Sequence, residues 1–371
     1  MTRRHAAAPV LAALAVLLAA GACTGPDAGS VATASTSPSS TSPSSTTTPA
    51  TSAPAAPSTA TATTSPSPTA SAAAGSVRFS ALGDINSTDA SDAVLRSIAD
   101  RHDDFTLALG DLSYGADGEE EAWCRFVTRR VGAEHPFELV SGNHESNGEN
   151  GNIERFARCL PNRLPGLVGS YGRQWYVDQP AAHPLVRVVM ISPALDFGHG
   201  SWSYAKGTPH YDWLRTAVTG ARAAGISWVV VGMHKPCLSV GNYECDPGAD
   251  VVDLLLDTGV DLVLTGHEHL YQRTRPLALA AGCRTIRPGS YDPECVATGG
   301  GTTFVTVGTG GTPLRDVHGA DSERRYFTAL SGKNRTPAHG SLDVRVTADR
   351  LTARFVPVDG GTFTDRVVLT H

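Results

Sequence analysis

Five short apolar runs, each cut by glycine and each followed at once by carboxylate, amide or imidazole side chains, constrain this chain more than any other feature. The run Val77 to Leu82 ends at Gly83-Asp84, residues 106–109 end at Gly110-Asp111, and residues 137–140 precede Gly142-Asn143-His144. Later, residues 228–231 end at Gly232-Met233-His234, and residues 262–264 precede Gly266-His267-Glu268-His269. Each run has the length and β-branched content of a strand, with a glycine breaker behind it. Helical patterns fall between them, over residues 92–101, 119–131, 152–159, 209–224 and 248–257. Strands alternating with helices predict an α/β fold with largely parallel pairing. In such sheets ligands bind outside the carboxyl ends of the strands, where all five polar clusters fall. From about residue 300 the pattern is strand-only, over 303–307, 342–346, 351–356 and 366–369, with turns such as Asp359-Gly360-Gly361. The expectation is a second, antiparallel-rich sheet, and hence a two-sheet β-sandwich core flanked by helices.

The strand ends together offer Asp84, Asp111, Tyr114, Asn143, His144, His234, His267 and His269. Carboxylates and imidazoles in this proportion suit hard or borderline divalent and trivalent metals. A two-metal hydrolytic site, its ions about 3.5–4 Å apart, needs one carboxylate shared by both ions and separate ligands for each. Taken singly, an Asp after Gly at a strand end is more often a helix cap or turn residue, and a lone His234 an ordinary polar residue. His267 and His269 are stronger, because alternate positions on an extended segment point the same way. The joint order D, D-x-x-Y, N-H, H, H-x-H over five independent strand ends outweighs the single readings.

The front of the chain addresses it to a place. Arg3 and Arg4 precede an apolar stretch from Ala6 to Ala20 and then Gly21-Ala22-Cys23, the layout of a secretory signal. Residues 1–22 are read as the signal, with Cys23 the lipid-bearing residue of a bacterial lipoprotein. Ordinary cleavage near Ala22 with release, or an uncleaved anchor, are the alternatives. Ala20-Gly21-Ala22-Cys23 resembles a lipobox, with Ala20 where Leu is more usual. From Ser30 to Ala74 every residue except Val31 is Ser, Thr, Ala or Pro, so residues 23–74 are expected to form a disordered linker. Residues 75–371 then form one catalytic domain. The formal net charge of −6 argues against coating nucleic acid.

Seven cysteines become six once Cys23 is set aside: Cys124, Cys159, Cys237, Cys245, Cys283 and Cys295. An exported protein sits in an oxidising compartment, so three disulfides are the default. Proximity favours Cys237 with Cys245 and Cys283 with Cys295, which leaves Cys124 with Cys159. A zinc–thiolate reading is weaker, because no C-x-x-C spacing occurs.

Gly83-Asp84, Gly110-Asp111-Leu112-Ser113-Tyr114, Gly142-Asn143-His144-Glu145, Met233-His234 and Gly266-His267-Glu268-His269-Leu270-Tyr271 together resemble the calcineurin-like metallophosphoesterases, and within them the purple acid phosphatases. The resemblance spans residues 77 to about 311 and implies the αββα fold of that superfamily. By position it implies a first metal, ferric iron, held by Asp84, Tyr114 and His269. A second, ferrous iron, zinc or manganese, falls to Asn143, His234 and His267, with Asp111 bridging. Many relatives outside the purple group use D-x-H in the first motif, where this chain has Asn86; the resemblance implies that Tyr114 supplies the missing ligand as a phenolate.

The implied function is an acid phosphomonoesterase using a metal-bound hydroxide, acting on small phosphate esters. His144 is expected to contact phosphate or protonate the leaving oxygen, with Glu145 orienting its ring. The alternatives are a phosphodiesterase or nucleotidase of the same superfamily and, in another class, a non-catalytic surface binding module. One departure stands out. Where plant-type relatives carry further histidines after the fourth motif, this chain reads Tyr243-Glu244-Cys245, and Asn242, Tyr243 or Glu244 are candidates for shaping specificity.

Overall fold

The computed structural model describes residues 75–371; the signal read in residues 1–22, the anchor at Cys23 and the linker over 23–74 lie outside the described residues. The chain begins with β1 (Val77–Leu82), α1 (Asp89–Arg101), β2 (Phe105–Ala108), α2 (Glu120–Val131) and β3 (Phe137–Leu139). A single turn α3 (Asn143–Ser146), α4 (Ile153–Cys159) and the hairpin β4 (Val168–Ser170) and β5 (Gln174–Gln179) follow. Then come β6 (Val186–Ile191), α5 (Pro209–Ala223), β7 (Trp228–Met233), α6 (Ala249–Asp257), β8 (Leu262–Thr265) and β9 (Tyr271–Thr274). The last strands are β10 (Thr303–Val307), β11 (Phe327–Ser331), β12 (Gly340–Val346), β13 (Arg350–Pro357) and β14 (Arg366–Thr370).

Helix starts follow from local chemistry. Thr88 caps α1 through the Ser91 amide in a reciprocal capping box, and Thr208 caps α5 ahead of Pro209 at its first position. Two sheets result, in the orders β14-β13-β12-β1-β2-β3 and β11-β9-β10-β8-β7-β6-β5-β4. β6, β7 and β8 are buried throughout, and their alternate residues divide between two cores. Val188, Met190, Val230, Leu262 and Leu264 join the layer shared with the first sheet, while Val189, Ile191, Val229, Val231 and Val263 pack with α5 and α6. Burial on both faces explains why these strands read as continuous apolar runs. The architecture is two mixed sheets flanked by helices.

The late strands do not make a sheet of their own, contrary to the reading of a separate antiparallel-rich sheet. β10 lies parallel to β8 inside the second sheet. β12 returns antiparallel onto the free edge of β1, pairing Val77 with Val346 and Phe79 with Val344, and β13 and β14 extend from it. Pairing that edge satisfies backbone groups that a bare edge would expose. The glycine-punctuated pattern also does not reach β4, β5, β6, β9 or β11, because no ligand-type side chain closes those strands.

Cys124–Cys159 ties α2 to α4, Cys237–Cys245 closes the loop after β7, and Cys283–Cys295 closes a loop between β9 and β10. Among the described residues no helix is long and apolar enough to cross a membrane.

Candidate metal centre

The backbone at the strand ends is knitted before any side chain acts. Gly83 N–H donates to Val307 (2.8 Å), Asp84 N–H to Gly110 (3.1 Å) and Gly266 N–H to His234 (3.0 Å). Asp84, Asp111, Tyr114 and His267 stand at φ 57°, 50°, 52° and 68°, the left-handed region, which turns their side chains inward. Gly142 is required by close approach, since a Cβ there would collide with the Asp111 carboxylate.

Seven candidate ligands converge in two groups that share Asp111. The Tyr114 hydroxyl lies 3.0 Å from Asp84 Oδ1, 3.0 Å from Asp111 Oδ2 and 3.1 Å from His269 Nε2. On the other side, His234 Nε2 lies 3.1 Å from Asp111 Oδ1, from Asn143 Oδ1 and from His267 Nδ1. His234 Nδ1 faces the Leu109 carbonyl at 2.8 Å and His269 Nδ1 the Pro313 carbonyl at 3.2 Å. Each carbonyl can only accept, so it places a proton on Nδ1 and turns Nε2 to the centre, where a bound cation would take the place of any proton on it.

Glu145 is not at the His144 ring, where the sequence reading expects it. Its buried carboxylate turns back on the strand-end backbone and accepts from Asp111 N–H (3.1 Å), Leu112 N–H (2.5 Å) and Gly142 N–H (2.9 Å). Burial first, and the Asp111 charge second, push its pKa up to about 8. It therefore braces the turn that carries Asp111. The partner of His144 is Asn150, whose Oδ1 meets Nδ1 while its Nδ2 donates to the Gly115 carbonyl at 2.9 Å. That second bond fixes the amide, so His144 Nδ1 carries the proton and Nε2 faces Asp111 Oδ2 at 3.5 Å.

Glu268, between the two histidines, holds the loop closed by Cys237–Cys245. Its Oε1 accepts from Tyr243 N–H (2.6 Å) and Ser239 Oγ (3.2 Å), and Gln272 accepts from Val240 N–H (2.9 Å). Tyr243 is thereby stacked on His267, centroids 4.0 Å apart, and the Arg315 guanidinium lies 4.9 Å from the Tyr243 ring. Sequence reasoning missed Asn150, Glu268 and Arg315. An Asn-Gly-rich stretch after His144 was the only signal for the first, and an acid enclosed by two histidines for the second.

The electrostatics fit a bound cation. Burial opposes ionisation of Asp111, yet the His234 charge and hydrogen bond hold its carboxyl well below the usual carboxylate range. Burial likewise opposes charge on His234, but Asp111 pushes it up to about 9; burial and His234 together drive His267 down to about 2. A cluster that forces charge onto a fully buried imidazole attracts positive charge, and Asp111, His234 and His267 place liganding atoms within 4.8 Å of one another. Burial and the two carboxylates raise the Tyr114 phenol far above its ordinary value, so only a strongly charged cation could displace its proton.

Comparison with known proteins follows the same lines. An uncharacterised protein of Mycobacterium tuberculosis is 30% identical over 227 residues, covering 56% of this chain and 42% of that protein. The Fe(3+)-Zn(2+) purple acid phosphatase 12 of Arabidopsis thaliana is 25% identical over 259 residues, covering 64% and 50%. The structure of purple acid phosphatase PPD1 from yellow lupin superposes with a TM-score of 0.58 at 14% identity, over 80% of this chain and 54% of that one. The chain thus spans about half the length of these relatives. The family model described as calcineurin-like phosphoesterase matches residues 77–271, which hold every candidate ligand, and to that family this chain belongs.

Proposed function

We propose that this protein is an exported, metal-dependent phosphoric ester hydrolase, a purple acid phosphatase-like phosphomonoesterase with two metal ions. Asp84, Tyr114 and His269 would hold the first, ferric iron; Asn143, His234 and His267 would hold the second, ferrous iron, zinc or manganese; Asp111 would serve both. The observation that carries this reading is the division of one carboxylate, Asp111 Oδ2 toward Tyr114 and Asp111 Oδ1 toward His234. When bound, such a pair polarises the phosphoryl group and acidifies the attacking water.

The chain's own residues supply the rest. His144, steered by Asn150, presents Nε2 beside Asp111 and acts on the leaving oxygen by holding and then giving up a proton. The Leu109 and Pro313 carbonyls keep His234 and His269 in one tautomer. Tyr243, half-exposed and pinned by Glu268, forms a wall for the alcohol side of a small ester. Export is supported by the three disulfides and by the signal read at the N-terminus, with Cys23 as the anchor and residues 23–74 as the tether.

The test combines metal analysis, a visible spectrum and hydrolysis of an aryl monoester and a bis-aryl diester on one preparation. Two ions, a tyrosinate–iron band and monoester preference are expected. Colourless protein with two zinc or manganese ions would overturn the iron assignment, and diester preference the substrate class.

A further inference from the structure

The segment from Pro313 to His318, which follows β10, is fastened on three sides. Arg315 N–H donates to the His269 carbonyl (2.8 Å), Lys333 N–H to the Arg315 carbonyl (2.8 Å), and His318 N–H to Val240 (2.7 Å), inside the loop that carries Tyr243. These bonds hold the Arg315 backbone between a candidate ligand and that loop without help from its side chain. Among the described residues the guanidinium makes a single hydrogen bond, from Nη1 to the His267 carbonyl at 3.3 Å, and its Cζ lies 4.9 Å from the Tyr243 ring centroid. The fork formed by Nε and Nη2 donates to no described atom, although Asp316 is its neighbour in the chain and Glu244 follows Tyr243.

Lys235 makes the contrast. It too presses its charge on His267, but its ammonium meets Asp246 at 2.6 Å, whereas half-buried Arg315 meets no carboxylate among the described residues. A guanidinium with one free fork can take an anion by two parallel hydrogen bonds. The phosphoryl group undergoing transfer is not that anion. Arg315 pairs with neither Asp84 nor Asp111, so its charge lies outside the ligand cluster, beside the Tyr243 wall. An anion held there stands on the alcohol side of the ester.

We propose that Arg315 is a specificity-determining residue, selecting phosphate esters whose alcohol portion carries a second anionic group, a carboxylate or a further phosphate. This rests on the hydrolase reading above. Three ligands on one carbon skeleton test it: glycerol 3-phosphate, 3-phosphoglycerate and glycerol 1,3-bisphosphate, which differ only in a hydroxyl, a carboxylate or a second phosphate at the far carbon. For metal-loaded wild type, kcat/KM for at least one of the two doubly anionic esters should exceed that for glycerol 3-phosphate at least tenfold, the scale of a charge-assisted hydrogen bond, and the preferred one names the second group. Arg315→Gln should erase that preference, and Arg315→Lys should restore part of it. Equal kcat/KM for all three esters in wild type, or an Arg315→Gln loss of the same size on each, would overturn the proposal, the latter reducing Arg315 to a prop for the His267 carbonyl. Release of phosphate from none of them would instead defeat the hydrolase reading. Affinities of the three ligands by calorimetry, then free of turnover, would decide the proposal by the same comparison.

Discussion

The two halves of the ligand cluster share Asp111 but differ in chemistry. Asp84, Tyr114 and His269 gather two oxygens able to carry negative charge around one carboxylate oxygen, whereas Asn143, His234 and His267 gather a neutral amide and two imidazoles around the other. The first set suits a small, highly charged ion and the second a borderline divalent one. Unequal halves teach that the two oxygens of one carboxylate can face different ligand sets when the distinction lies in its neighbours.

Replacing the shared residue should do most damage. Asp111→Asn is expected to lower kcat/KM by roughly 10⁴-fold, the scale for losing one member of a catalytic unit, and to leave fewer than two ions per chain. Two retained ions by metal analysis would break the comparison. Next come the one-sided changes. Tyr114→Phe should abolish visible absorption while keeping the second ion, and His267→Ala should keep the colour while losing the divalent ion; spectra and metal content read both. Smaller still, Asn150→Ala should lower kcat by about 10–100-fold at unchanged metal content, since its side chain bonds the ring of His144 and the Gly115 carbonyl and none of the seven candidate ligands.

The smallest effect on activity, and the control for all of these, lies on β3. Glu138 is fully buried, one carboxylate oxygen without a partner, and burial pushes its pKa from 4.5 up to about 7. A folded pKa above the unfolded one means that stability is fully present below pH 4.5 and is lost as pH rises through 7, by about 3 kcal/mol in all. Glu138→Gln should flatten that slope without altering turnover, as melting curves at pH 5 and pH 8 would read. An unchanged slope would remove Glu138 as its source.

Much of the molecule is legible in its sequence. Local signals carry it: a glycine cut, an imidazole pair at alternate positions, cysteines 8 and 12 residues apart. What escapes is non-local or points the wrong way. β12 finds its partner at the opposite end of the chain, and nothing near Leu342 says that Ala81 lies beside it. β6 is as apolar as β7, but no ligand closes it. Glu145 follows His144 directly, yet neighbours in a helical turn diverge, so its carboxylate reaches amides that the sequence cannot place next to it.

Four left-handed residues sit among the seven candidate ligands, and each such conformation costs about 1–3 kcal/mol relative to relaxed backbone. Glycine at any of them would relieve that cost and remove a ligand in the same step. It would also empty buried space and strand the hydrogen-bond partners of Asp84, Asp111, Tyr114 and His267, so the strain is held in place by the same contacts that aim the ligands.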